Sequence, residues 1–300
     1  MNTSSELNKE ITGLNKKESK DILKKLKSDY FLQLLFNNLF KKKSLKIIKY
    51  NKNIKERINI SIKDYKEYSE IYSPIEIEIK PTNNKYGKFI NIKNENEIYY
   101  HVYFNNDKKE IKRNFFYENI HIIKIIIDYQ IKSFEGLFEN CECIEYMCFK
   151  KFYRNNIDNM GHMFSGCSSL KELDLSNFNT NNANNMAKMF FRCSSLKELN
   201  VSNFNTNNVT DMCGMFWGCS SLKELDLSNF NTNNVTDMGW MFHRCFSLKE
   251  LKLSNFNTNN VTNMRRMFSG CSAVFQNKIR DQYKNIKEVA FIEFKIFIKV

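Results

Sequence analysis

Met186–Asp211 reads MAKMFFRCSSLKELNVSNFNTNNVTD, and this stretch decides the fold because its phrasing returns every 26 residues. Five cysteines, Cys167, Cys193, Cys219, Cys245 and Cys271, each close the phrase Met-x-x-Met-Phe-x-x-Cys. A fixed period of this length marks a stack of one small unit that cannot bury its apolar face alone. Met186, Met189, Phe190 and Cys193 stand at i, i+3, i+4 and i+7, which predicts a two-turn helix with one apolar face. Asn185 precedes it, and Asn159, Asp211, Asp237 and Asn263 fill the same slot, all favoured N-cap residues. After Ser194-Ser195, Leu199 and Val201 alternate with polar neighbours, predicting a short strand. Asn-Thr-Asn-Asn-Val-Thr-Asp then supplies a turn-rich return.

Stepping back 26 residues places Cys141 under Cys167 and Phe138 under Phe164, so a degenerate first unit spans about residues 134–159. Clean units follow from Met160 to Asn263, and a half unit, Met264–Ser272, closes the run. Ala273–Phe291 has the pattern of a basic capping helix. The expected organisation is a disordered tail (1–19), a helical segment (20–73), a β-rich segment leading into a cap (74–130), the repeats (131–272) and a C-terminal cap (273–300).

The phrase SSLKELDLSNFNTNNVTDMGWMFHRC (Ser220–Cys245) closely resembles the BspA-like, or DUF285, class of leucine-rich repeats. That class occurs in bacterial surface proteins and abundantly in protist genomes. The resemblance covers about Phe134–Ser272. It implies an α/β fold, a leucine-rich-repeat solenoid of parallel strands and short helices, and a role in protein binding or adhesion without enzyme activity. In front of it an α+β N-terminal domain is expected.

Strands are predicted at Ile75–Ile79, Lys88–Ile92, Tyr99–Phe104 and Ile122–Ile127, the last as the cap that leads into the first unit. Two helices are predicted within Asp21–Ile58. The segment YFLQLLFNNLFKKKSLKIIKYNKNIKERI (Tyr30–Ile58) loosely resembles an F-box, which would imply a ubiquitin-ligase substrate adaptor; the Leu-Pro pair that opens that motif is absent. Two helices that merely pack on each other are the alternative.

The formal net charge is +13. Residues 1–130 hold 26 basic and 17 acidic residues, leaving +4 for the remainder. Lysines number 38 and arginines 8, a balance unlike that of base and phosphate readers, which favour Arg forks. The expectation is a protein partner, no nucleic acid, no membrane and a monomer. The first 20 residues lack an apolar signal region and no 18-residue apolar run occurs, so a cytoplasmic location is expected, with the cell surface as the adhesin alternative. Val289–Val300 alternates apolar and charged residues, a terminal strand pattern. The Asn-Val-Thr sequons at Asn208, Asn234 and Asn260 arise from the repeat.

No catalytic, cofactor or metal site is expected. His101, His121, His162 and His243 have no nucleophile or carboxylate partner in a recognisable motif. Cys141-x-Cys143-x4-Cys148 lacks zinc spacing, and the repeat cysteines read as buried free thiols. Binding candidates come from comparing the units with one another. Glu172, Glu198, Glu224 and Glu250 form a ladder on the predicted strand face. Phe191, Trp217, Trp240, His243 and Arg244 occupy outward slots of the predicted helices, and Trp and Arg are the types most enriched at binding hot spots.

Overall fold

The computed structural model describes residues 73–83, 85–117 and 120–293. The chain divides into two compact units, Met1–Tyr72 and Ser73–Val300. The tail (1–19), the helical and F-box-like segment (20–72) and the end of the terminal strand pattern (294–300) lie outside the described residues.

The described fold is mixed α/β, mostly sheet with few helices. Five strands form one sheet in the order β3 (Tyr100–Phe104), β5 (Ile123–Ile127), β1 (Ile75–Pro81), β6 (Ile144–Lys151), β7 (Glu172–Asp174). Short pairs join β2 (Gly87–Lys88) to β4 (Phe115–Phe116) and β8 (Glu224–Asp226) to β9 (Glu250–Lys252). Alternation explains β1 and β5: Ile75, Ile77, Ile79, Ile123, Ile125 and Ile127 are all fully buried, and Ile77 lies opposite Ile125. These pairs are antiparallel, whereas β6–β7 and β8–β9 are parallel. Of the predicted strand Lys88–Ile92 only Lys88 pairs in a ladder. Ile123–Ile127 does not border the first repeat strand; β1 sits between β5 and β6. The reason is direction: β5 and β6 run parallel and are joined by a crossover, leaving room for an antiparallel strand between them.

The predicted repeat helices are not helices. Met160, Met163, Phe164 and Cys167 do share one buried face, as do their counterparts in later units. The backbone, however, runs as successive turns. The N–H groups of Met163, Ser165 and Cys167 bond three residues back, to Met160, His162 and Phe164. Those of His162, Phe164 and Gly166 reach the next unit, to the carbonyls of Ala187 (2.8 Å), Met189 (2.9 Å) and Phe191 (2.7 Å). Left-handed backbone recurs at two slots per unit, at His162 (φ 57°) and Gly166 (φ 73°), then Lys188 and Arg192, Gly214 and Gly218, Trp240 and Arg244, Arg266 and Gly270. A left-handed residue every fourth position breaks any helix and turns alternate N–H groups toward the neighbouring unit. The Asn and Asp residues expected as N-caps instead close two-residue turns, Asn185 Oδ1 accepting from the Ala187 N–H at 2.9 Å.

Phenylalanines stack through the core. Phe138, Phe164, Phe190, Phe216, Phe242, Phe268 and Phe291 follow one another at 5.3–5.8 Å between ring centroids, with planes within 18° of parallel. Beside this column each repeat thiol donates to the carbonyl of the preceding unit's Phe, as in Cys193 to Phe164 and Cys219 to Phe190, both 3.1 Å. The nine cysteines are free.

The Asn-rich return is a second hydrogen-bonded seam. Thr206 Oγ1 donates to the Asn231 carbonyl at 2.9 Å and accepts from the Asn231 N–H at 2.8 Å; Thr180 and Thr232 repeat the pattern. Asn203 donates to three carbonyls of the unit before, and Asn229 to two. The sequon residues Asn208, Asn234 and Asn260 donate to Asn181, Asn207 and Asn233 carbonyls.

Both ends of the turn ladder are closed. Asn91 donates its side-chain amide to Gly136 and Glu139 carbonyls at the first unit. At the last, the Arg266 and Phe268 N–H groups bond Val289 and Ala290, and Glu293 accepts from Gly270 and Ser269. The predicted capping helix over 273–291 is shorter: α1 covers Ala273–Gln282, and Glu288–Phe291 is one 3-10 turn. Ser272 caps α1 by accepting from the Phe275 N–H.

Candidate functional site

Two faces carry the candidate residues. On the turn ladder from Met160 to Cys271, the two outward pairs of each unit vary while the inward Met, Met, Phe and Cys do not. The left-handed slots are held by Gly in some units and by bulky residues in others, and in the second slot, from Gly166 to Gly270, the two alternate for a steric reason. A Cβ on Gly218 would stand 3.3 Å from Cγ of Arg192, and one on Gly270 would stand 3.2 Å from Cγ of Arg244. Each Arg therefore lies across a glycine of the next unit.

Four of the five ladder residues singled out from sequence come together in ring contacts. Phe191 meets Trp217 edge-on at 5.1 Å, Trp217 stacks with Trp240 at 6.2 Å, and Trp217 meets His243 edge-on at 4.9 Å. Arg244 follows His243 and is exposed. One expectation needs correction: the slots are not uniformly outward. Phe191, Trp217 and Trp240 are half-buried, and His243 is buried. The backbone turn at Arg244 sends that side chain out and leaves His243 beneath the indole of Trp217. Burial pushes the His243 pKa below its ordinary value, with the Arg244 and Arg266 charges acting in the same direction. Its Nδ1 has no hydrogen-bond partner.

Sequence reasoning left out Arg192, whose guanidinium lies 5.0 Å from the Phe191 ring centroid. It fills the same slot as Arg244, so the unit-to-unit comparison that found Arg244 contains the signal for it. Arg265, also exposed, belongs to the same face.

On the strand face, Glu172, Glu198, Glu224 and Glu250 are all exposed. Parallel register sets Glu224 opposite Glu250 and Tyr146 opposite Glu172. Beside the row, Lys171 turns to Glu145 at 2.9 Å. Glu250 is instead paired with Lys278 from α1, at 2.6 Å. The ladder opens at residues 198–200, where no strand forms and Leu199 is half-buried. Grooves of about 560 and 530 Å³ flank this segment, both lined by Glu198, Leu199 and Asn200.

Burial raises the repeat thiols, Cys219 to about 12, so they are not thiolates at neutral pH. Cys143 is likewise buried and raised to about 11. Among the described residues no group of three or more His, Cys, Asp or Glu side chains is arranged to hold a metal ion. No helix among them is long and apolar enough to cross a membrane.

No curated protein and no solved structure gives a significant match to the chain. The family model described as "Mycoplasma protein of unknown function, DUF285" matches three overlapping segments, residues 114–201, 132–249 and 191–295.

Proposed function

Because the chain belongs to the DUF285 family, we propose that it is a non-enzymatic protein–protein interaction scaffold, its units stacked as a BspA-like leucine-rich-repeat solenoid. The observation that carries this reading is the aromatic row Phe191–Trp217–Trp240, which continues across three successive units on a face whose inner residues do not vary. Half-buried aromatics held by their neighbours contribute apolar contact area with little side-chain entropy left to lose. The in-register bonds between units support the stacking, since each unit's backbone groups are satisfied by the next. The nine free cysteines suit a reducing compartment, which favours the cytoplasm over the cell surface. The scaffold acts as a monomer, its two ladder ends being closed by its own chain.

The test is a pull-down with tagged full-length protein, comparing wild type with the Trp217→Ala, Trp240→Ala double variant. The scaffold reading predicts that partners captured by wild type are lost from the variant while its melting transition is retained. Capture of the same partners in the same amounts would remove the aromatic row from the account.

A further inference from the structure

The chemistry of the partner can be read from the charges around the aromatic row. Of the 8 arginines in the chain, Arg192, Arg244, Arg265 and Arg266 occupy outward slots of the turn ladder. In a chain with 38 lysines, half of the arginines on one face is a concentration that coding bias toward Lys does not produce. The outward slots from Gly161 to Gly270 contain no Asp or Glu at all. Carboxylates at its edge are tied into hydrogen bonds of their own: Asp211 accepts from the Cys213 N–H, Asp237 accepts from Gly239 and Asn263, and Glu293 accepts from Ser269, Gly270 and Gln276.

Arg192 and Arg244 also sit where the backbone disfavours them. Both are left-handed, at φ 56° and 59°, in a slot that holds glycine in the units between and beyond them. A side chain kept in that conformation, where glycine serves the fold in sister units, points to a use for the side chain.

We propose that this face binds an acidic protein segment. Its carboxylates pair with the guanidinium forks of Arg192 and Arg244, and an apolar side chain between them packs on Trp217 and Trp240. This rests on the scaffold reading and adds the partner's chemistry to it. Arg192 and Arg244 are two layers apart, about 10 Å at the ~4.8 Å spacing of hydrogen-bonded backbones. Three residues of polyproline II chain rise about 9 Å and return the side chain to the same face, so the fitting motif has acidic residues at i and i+3. Arg matches carboxylates bidentately, which gives the pairing its direction. The aromatic arrangement favours a protein over a single-stranded nucleic acid. Trp217 has Phe191, Trp240 and His243 against it, so a base cannot be sandwiched between these rings.

The chain has two tryptophans, both in this face, so their emission reports on it directly. The experiment titrates full-length protein with a synthetic peptide carrying Glu at i, i+3 and i+6 around one Leu, at about 50 mM salt, where the Debye length is still above 10 Å. Parallel titrations use the same peptide with Lys for Glu, and oligouridine of matching charge. The expected result is a saturable emission change with the Glu peptide, weakened by salt. It is weakened at least tenfold in the Arg192→Gly, Arg244→Gly variant, whose fold is preserved because glycine already serves that slot. Equal affinity of the variant, no response to the Glu peptide, or a response to the Lys peptide would overturn the proposal. Tighter binding of oligouridine than of the Glu peptide would overturn it in favour of nucleic acid. If the Glu peptide fails while the tryptophan double variant still loses its partners in the pull-down, the acidic chemistry falls and the scaffold stands.

Discussion

Lys188, Arg192, Trp240, Arg244 and Arg266 all hold left-handed backbone that costs a side-chain-bearing residue about 1–2 kcal/mol relative to its preferred region. Lys188→Gly should therefore raise stability by about 1 kcal/mol in urea unfolding, the relief exceeding glycine's extra chain entropy. A loss of stability would mean the strain is not there. The converse change, Gly218→Ala, combines left-handed backbone with a Cβ against Arg192 and should destabilise by at least about 1 kcal/mol. The buried thiol of Cys219 matters through its bond to the Phe190 carbonyl as well as its volume. Cys219→Ala should cost about 1–3 kcal/mol from the lost donor and the cavity. His243 gives the pH signature. Its folded pKa is below its ordinary value of 6.5, so the unfolded chain takes up a proton first as pH falls. Its contribution is complete above about 6.5 and is lost as pH drops from there toward the folded value. Melting temperatures between pH 7.5 and 5 should fall more steeply for wild type than for His243→Gln; equal slopes would show that this imidazole does not set the dependence.

Two side-chain seams join the elements, and the threonine seam is the more exposed to attack. Thr206→Val keeps the shape but leaves the N–H and C=O of Asn231 without that hydroxyl, a cost of about 2–6 kcal/mol for two unmet groups. A change under 0.5 kcal/mol on chemical unfolding would show the seam to be ornamental. At this scale the sequence was legible in part. Register, the buried face and the alternating isoleucines of β1 and β5 all follow from apolar spacing. The helix did not follow, because turns of four residues put i, i+3, i+4 and i+7 on one face just as a helix does. The sign that separates them is glycine at a fixed slot, and Lys188, Arg192, Trp240 and Arg244 hide it. Burial of His243 was equally hidden, since only the backbone turn decides which residue of an outward pair faces in. The place of β1 between β5 and β6 is a long-range pairing that local pattern does not encode. The aromatic cluster was legible, because unit-to-unit comparison separates what varies from what does not.

For the whole molecule, the bonds between units form one continuous ladder from Gly136 to Ala290, closed by Asn91 at one end and Glu293 at the other. Such an array tolerates a change in the number of units but not in their phase, since stability is a sum over neighbours in register. Removing Met212–Asp237 joins Asp211 to Met238, the same junction that Asp237 and Met238 make now. Removing only Met212–Glu224 sets a turn segment against a strand. The most direct test of the stacked-unit account is thermal unfolding of these two deletions beside wild type. The account predicts one cooperative transition for the 26-residue deletion, lowered by a few degrees, and no cooperative transition for the 13-residue deletion. If both deletions melt alike, or if the whole-unit deletion fails to fold while the half-unit deletion folds, the units do not stack in register and the account is wrong.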